Sequence, residues 1–178
     1  ENGENVERAS ILIAENKIVA WFQGRMEWGP RALGNRSILA NPTNPDMKEI
    51  LNLKVKNRES FRPFAASVTE EDALGLFEAG YSPFMSLAIP CRSNVDKIIP
   101  SVIHFDGTSR IQTVSYENNK LFYSLIKKLG EKTGVPVVLN TSFNYANEPI
   151  VCSPEDAYKC FLKTNIDYLF MGDYLVSK

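Results

Sequence analysis

The sequence predicts an α/β domain, a twisted sheet with helices packed on it, and three observations carry that prediction. Apolar runs short enough to be buried strands recur, at Ile18 to Phe22, Val135 to Leu139 and Asp167 to Met171. Segments with helical spacing lie between them, the clearest at residues 118–133. The two signals alternate along a chain that has no internal repeat and no low-complexity stretch.

Residues 4–16 place Val6, Ala9 and Ile13 on one helical face, with Leu12 beside them, and Asn16-Lys17 ends that helix. The β-branched and aromatic content of IVAWF, Ile18 to Phe22, marks a strand buried on both faces. A loop, GRMEWGPRALGNRS, follows from Gly24 to Ser37. SILA at Ser37 to Ala40 reads as the next strand, closed by the turn residues Asn41-Pro42-Thr43-Asn44-Pro45. Asn44 is the expected cap of a helix with Pro45 in its first position and Met47, Ile50 and Leu51 facing inward. PFAASV is a strand, Glu70 to Phe77 a short helix and Phe84 to Ile89 another strand, while the signal over residues 91–104 is weak.

Asp106-Gly107 is a turn that leads through Arg110 into the alternating strand of Ile111 and Thr113. In residues 118–133, Leu121, Phe122, Leu125, Ile126 and Leu129 share one face and Lys120, Lys127, Lys128 and Glu131 the other; Gly134 stops the helix before Val135 to Leu139. A polar loop, NTSFNYANEP, then runs from Asn140 to Pro149. Ser153 before Pro154, Glu155 and Asp156 has the pattern of an N-cap, opening a helix that buries Ala157, Phe161 and Leu162. Strands at Asp167 to Met171 and Tyr174 to Val176 close the chain.

With 178 residues, 44% hydrophobic and 23% charged, the chain suffices for one globular domain with a sizeable core. A net charge of −1 gives no general attraction to nucleic acid or to an anionic membrane. Residues 24–62 nevertheless hold eight basic side chains against four acidic ones, which suits a small anionic ligand better than a polyanion. Three cysteines (Cys91, Cys152, Cys160) without Cys-x-x-Cys spacing and a single histidine, His104, point away from a disulfide framework and from structural zinc. A reducing cytoplasm is the expected setting. No apolar run approaches the roughly 18 to 20 residues of a membrane span. The chain opens on Glu1 rather than Met and reads as a fragment of a longer protein.

The chemistry concentrates in three segments. The first loop sets Arg25, Arg31 and Arg36 among Gly24, Gly29 and Gly34, so guanidinium forks stand where the backbone can approach a ligand closely. It reads as an anion-binding loop, or as a surface turn whose arginines pair with acids such as Glu27. KVKNRESFRPF carries Lys54, Lys56, Arg58 and Arg62 with Phe61, Pro63 and Phe64 between them, so its charges come near the core and need partners. The hydroxyls and amides from Asn140 onward either donate to phosphate and carbonyl oxygens or cap the following turns. His104 beside a turn reads more readily as a hydrogen-bonded scaffold group than as a base.

GRMEWGPRALGNRSILANP, RPFAASV, HFDGTSRIQTV and TGVPVVLNTSFNYANEPIVCSPEDA together resemble the C-terminal domain of the O-carbamoyltransferases that act on antibiotics and nodulation factors. The match spans nearly the whole chain, and the first string is specific. The resemblance implies a YrdC-like twisted open mixed sheet with packed helices over residues 1–178. TSFN at Thr141 to Asn144 is similar to the TSAN signature of the threonylcarbamoyl-adenylate enzymes, with Phe143 in place of alanine, and Lys56-x-Arg58 is similar to their basic motif.

The resemblance further implies carbamoyl-adenylate formation from carbamoyl phosphate and ATP, with Mg²⁺ arriving on the nucleotide, and transfer to an acceptor hydroxyl by a separate N-terminal actin-like domain. It assigns Lys56, Arg31 and Arg62 to catalysis and Arg110 to clamping phosphate or carbonyl oxygens. Asn140 and Ser142 would hydrogen-bond the phosphate or the carbamoyl amide, with Arg25, Glu27, Arg36 and Arg58 as further contacts. Two other readings stay open: a nucleotide-binding module inactive without its partner domain, and an RNA-binding module, which the acidic remainder of the chain disfavours.

Overall fold

The computed structural model describes residues 2–178 and bears out the α/β expectation. Among the described residues the strands are β1 (Val19–Phe22), β2 (Arg36–Ala40), β3 (Ala65–Thr69), β4 (Ala88–Pro90), β5 (Thr108–Val114), β6 (Val137–Ser142), β7 (Tyr168–Met171) and β8 (Tyr174–Ser177). They form one mixed sheet in the order β4-β5-β3-β6-β2-β1-β7-β8. β3 runs parallel to β5 and β1 to β7, and the other neighbours are antiparallel. The helices are α1 (Asn2–Ala14), α2 (Met47–Lys54), α3 (Glu70–Leu76), α4 (Val95–Ile98), α5 (Lys120–Thr133) and α6 (Pro154–Lys163).

Successive side chains of a strand point to opposite faces, and both faces of this sheet are covered. Val19, Trp21, Leu39 and Val138 pack with Val6, Ala9 and Ile13 of α1 and with Phe122, Leu125, Ile126 and Leu129 of α5. Ala20, Phe22, Ile38 and Leu139 pack on the other side with Met47 and Leu51 of α2 and Ala157, Cys160 and Phe161 of α6. That double burial is why the central strands read as unbroken apolar runs. α5 begins where the Asn119 side chain accepts from the Phe122 amide and ends at left-handed Gly134. α6 opens on the expected capping box, Ser153 with Asp156, and Pro154 occupies its first turn.

Four expectations need correction. α2 starts at Met47 with Asp46 as its flanking residue, because the Asn44 carboxamide accepts from the Asp46 amide and closes a turn that contains Pro45. The strand expected over Phe84 to Ile89 is confined to Ala88–Pro90, since Met85 takes φ 54° and breaks the extended run. Leu162 is exposed, and Cys160 takes the inward position on α6. β6 continues to Ser142, so Asn140, Thr141 and Ser142 stand on the end of a strand rather than in a loop beyond it.

Residues 91–104 contain α4 and a 3-10 turn at Pro100–Val102, elements too short to leave a periodic signal. All three cysteines are free, and among the described residues no helix is long and apolar enough to cross a membrane.

Candidate functional site

Sheet register builds the floor of the site. Arg110 of β5, Ala65 of β3 and Asn140 of β6 stand side by side across three neighbouring strands. Alternation along the strands sends all three to one face, and the methyl group of Ala65 leaves room between its larger neighbours. Two residues along the strands, Ser67 faces Gln112 on that same face, and the Ser67 hydroxyl donates to Gln112 Oε1 at 2.7 Å.

The first arginine loop folds over this floor. Glu27 Oε1 accepts from the backbone amides of Leu33 and Asn35, each at 2.7 Å, and Asn35 Nδ2 donates to the Arg25 carbonyl at 2.7 Å. Arg36, on β2, donates to the carbonyls of Gln23 at 2.8 Å, Asn35 at 2.9 Å and Gly24 at 3.0 Å, and its guanidinium lies 3.5 Å from the centre of the Phe22 ring. Arg36 and Glu27 thus brace the loop internally instead of facing a ligand. The guanidinium supplies donors to the loop's carbonyls, of which that of Asn35 also accepts from the Gln23 amide. Arg25 is exposed and lies outside the cavity that the loop encloses.

That cavity has a volume of about 280 Å³. Arg31 and Pro30 reach it from the loop, Arg110 and Asn140 from the floor, and Arg58, Arg62, Pro63 and Phe64 from the segment after α2. Thr141, Ser142, His104 and Met85 complete much of the wall. Buried Asn52 on α2 organises the second basic segment: its Nδ2 donates to the carbonyls of Ser60 and Arg62, and its Oδ1 accepts from Arg58 Nε at 2.6 Å.

Among the described residues four guanidiniums line the cavity and no carboxylate does. Burial and the neighbouring Arg110 push the Arg31 guanidinium below its ordinary value, and burial with Arg62 nearby does the same to Arg58. Arg62 meets only an exposed Glu59 at 3.8 Å. Cations held together at such a cost are relieved by an anion, and planar guanidiniums match phosphate or carboxylate oxygens.

Lys56 is placed differently from the expectation that it acts on the ligand. It is buried behind the wall and does not line the cavity; its Nζ donates to the Ser142 carbonyl at 2.5 Å and to Asn144 Oδ1 at 2.7 Å. Burial, with repulsion from Arg58, pushes the ammonium down to about 7 from an ordinary 10.5. Above pH 7 the unfolded chain therefore binds more protons than the fold, so this group's contribution to stability rises with pH and is least below pH 7. In urea unfolding between about pH 7 and about pH 9, the wild type should gain up to about 1.4 kcal/mol per pH unit over Lys56→Met. Parallel pH profiles for the two proteins would show Lys56 to be charged throughout that range.

His104 lines the cavity. Thr108 Oγ1 donates to Asp106 at 2.7 Å, so it accepts from His104 Nδ1 at 3.0 Å, and Nε2 is left as a buried acceptor without a partner in the protein. Burial lowers the histidine pKa and so favours the neutral ring.

Six of the ten residues singled out by sequence come together around the cavity: Arg31, Arg58, Arg62, Arg110, Asn140 and Ser142. Arg25, Glu27, Arg36 and Lys56 do not line it. Sequence reasoning missed Asn52, Gln112 and Met85, which look like ordinary helix or strand residues until register and burial are known. Among the described residues no group of three His, Cys, Asp or Glu side chains could hold a metal ion. A magnesium ion here would have to rest on ligand oxygens, as magnesium on nucleotides commonly does.

A family model described as carbamoyltransferase C-terminus matches residues 10–178. The chain is 48% identical to nodulation protein NolNO of Sinorhizobium fredii, covering 96% of this chain and 26% of that one. It is 45% identical to nodulation protein NolO of Bradyrhizobium diazoefficiens, covering 96% and 32%. It therefore spans between a quarter and a third of these relatives.

Among solved structures, P. abyssi Sua5 complexed with L-threonine superposes with a TM-score of 0.66 at 17% identity, covering 96% of this chain and 47% of that one. T. kodakarensis HypF superposes with a TM-score of 0.60 at 19% identity, covering 96% and 20%. At these identities the two structures establish the shared fold, a YrdC-like mixed sheet.

Proposed function

This chain belongs to the carbamoyltransferase C-terminus family, and from that premise we propose that its arginine cavity binds carbamoyl phosphate and ATP and forms carbamoyl-adenylate. The observation that carries the proposal is the convergence of Arg31, Arg58, Arg62 and Arg110 on one cavity with no carboxylate in its wall. In the balanced reaction, water cleaves carbamoyl phosphate to carbamate and phosphate. A carbamate oxygen then attacks the α-phosphorus of ATP, and the bond to the departing pyrophosphate breaks.

Such transfers ask the protein mainly for position and charge. The four guanidiniums neutralise the phosphate oxygens and the charge growing on pyrophosphate. Asn140 and Ser142 hold the carbamoyl group, and Lys56 acts as a positioning residue by fixing the Ser142 end of β6. Magnesium, carried by the nucleotide, would add charge neutralisation at the phosphates. The activated carbamoyl group would pass to an acceptor hydroxyl on a further domain of a longer protein, in keeping with the share of its relatives that the chain spans. The cytoplasm is the proposed setting, in keeping with three free cysteines.

That same partial coverage supports a second reading, a nucleotide site that turns over only with its neighbouring domain. Calorimetric titration with ATP and Mg²⁺, with and without carbamoyl phosphate, followed by a pyrophosphate assay, separates the two. Binding with pyrophosphate release is expected. Binding without release supports the second reading, and absence of binding removes the arginine cavity as a nucleotide site.

A further inference from the structure

Asn140 is 1% exposed, yet its carboxamide is satisfied at one end only. Nδ2 lies 3.2 Å from the Ala32 carbonyl, 3.0 Å from Ser67 Oγ and 3.1 Å from Gln112 Oε1. Oδ1 is buried and has no hydrogen-bond partner among the described residues. The direction of the amide follows from a chain of acceptors. The Leu33 carbonyl can only accept, so Gln112 turns Nε2 toward it, at 2.8 Å. Gln112 must then offer Oε1 to the opposite side, where it already accepts from the Ser67 hydroxyl. The Ala32 carbonyl and Gln112 Oε1 can each be met only by Nδ2, and the oxygen of Asn140, a residue of the cavity lining, is left unpaired on the other side of the amide.

The surrounding wall supplies guanidinium and hydroxyl donors, which suit oxygens of a ligand. An oxygen placed against Asn140 Oδ1 would leave a buried acceptor unpaired, whereas an N–H would satisfy it. A ligand that fits both features is an anion carrying an amide nitrogen.

We propose that Gln112 is a positioning residue that, through the Leu33-Gln112-Asn140 relay and together with the Ala32 carbonyl, fixes the Asn140 amide so that its oxygen is the reader of the carbamoyl NH₂. The site thereby rejects acyl phosphates of the same shape and charge that lack this group. This inference rests on the proposed function, because it takes the arginine cavity as the carbamoyl phosphate site. Gln112 itself contributes no atom to the cavity wall. It touches Asn140, Ser67 and the Leu33 carbonyl of the arginine loop and none of the four guanidiniums, so its loss should alter selectivity more than it weakens the phosphate clamp.

The test compares carbamoyl phosphate with acetyl phosphate, in which a methyl group replaces NH₂, by direct calorimetric titration of the purified protein, with orthophosphate as a third ligand and ATP titrated separately. The wild type should prefer carbamoyl phosphate by about 10- to 100-fold, the penalty for leaving a built acceptor unpaired. Gln112→Leu should lower that preference at least about threefold, by more than it changes orthophosphate affinity. Should Gln112→Leu fail to fold by circular dichroism, Gln112→Met carries the same expectation. Equal affinity of the wild type for the two acyl phosphates, or a preference kept in the folded variant, overturns the inference and leaves the function standing. A wild type that binds ATP and neither acyl phosphate overturns the carbamoyl phosphate reading, and this inference with it.

Discussion

Gly34→Ala should destabilise the protein by about 3 kcal/mol or more, the sum of a strained backbone and an overpacked core. Gly34 has φ 109°, and a methyl group there would lie 2.3 Å from Cδ1 and 2.5 Å from Cγ of Phe122. That ring is fully buried between α5 and the sheet, so it cannot step aside, and the loop would have to lift away. Arg31 would lift with it, and phosphate affinity should fall together with the urea midpoint. Gly29→Ala provides the contrast: φ is 104°, but nothing lies within 4 Å of the added carbon. It should cost only the backbone strain, about 1 to 2 kcal/mol. Equal midpoints for the two variants would mean that contact with Phe122 does not hold the loop down.

Arg31→Ala should weaken binding of ATP by about 1 to 3 kcal/mol, the range for a charge-assisted contact, equivalent to a loss of roughly 5- to 150-fold. The expectation rests on its position in the cavity wall and on its proximity to Arg110, whose charge it opposes until an anion arrives. Arg25→Ala, in the same loop but outside the cavity, should stay within about 0.5 kcal/mol of the wild type in both binding and stability. Titration calorimetry on the folded variants checks both values. Full affinity in Arg31→Ala would remove that residue from the site and return the loop to a structural role.

Much of the fold was legible because burial leaves a trace in composition. The strands at β1, β6 and β7 are covered on both faces and read as apolar runs, and α5 showed its buried stripe and its terminal glycine. Errors came where local chemistry competed with pattern. Asn44 is as able to close a turn as to cap a helix, and its contact with the Asp46 amide shows which use prevailed. Met85 carries no sequence sign of the positive φ that ends the expected strand around it.

The site was half legible for a related reason. Arginine among glycines marks a place where cations are gathered, and residue type alone cannot say which cation faces a ligand. Arg31 and Arg36 stand in the same loop and look equivalent in sequence. Strand pairing of β2 with β1 turns Arg36 inward onto the Gln23 and Gly24 carbonyls, while Arg31 remains on the cavity side. Lys56 and Arg58 lie two residues apart, yet one is buried against Ser142 and Asn144 and the other reaches the cavity.

The sequence by itself determined the layer architecture and the positive segment, because these depend on composition and short-range periodicity. Only the tertiary structure decided which charges converge. Arg110, Ala65 and Asn140 are far apart in the chain and are made neighbours by the register of β5, β3 and β6. The direction of the Asn140 amide was settled the same way, by the Ala32 carbonyl and by Gln112 held on the Leu33 carbonyl, since hydrogen-bond direction is a property of the assembled network and not of any residue in it.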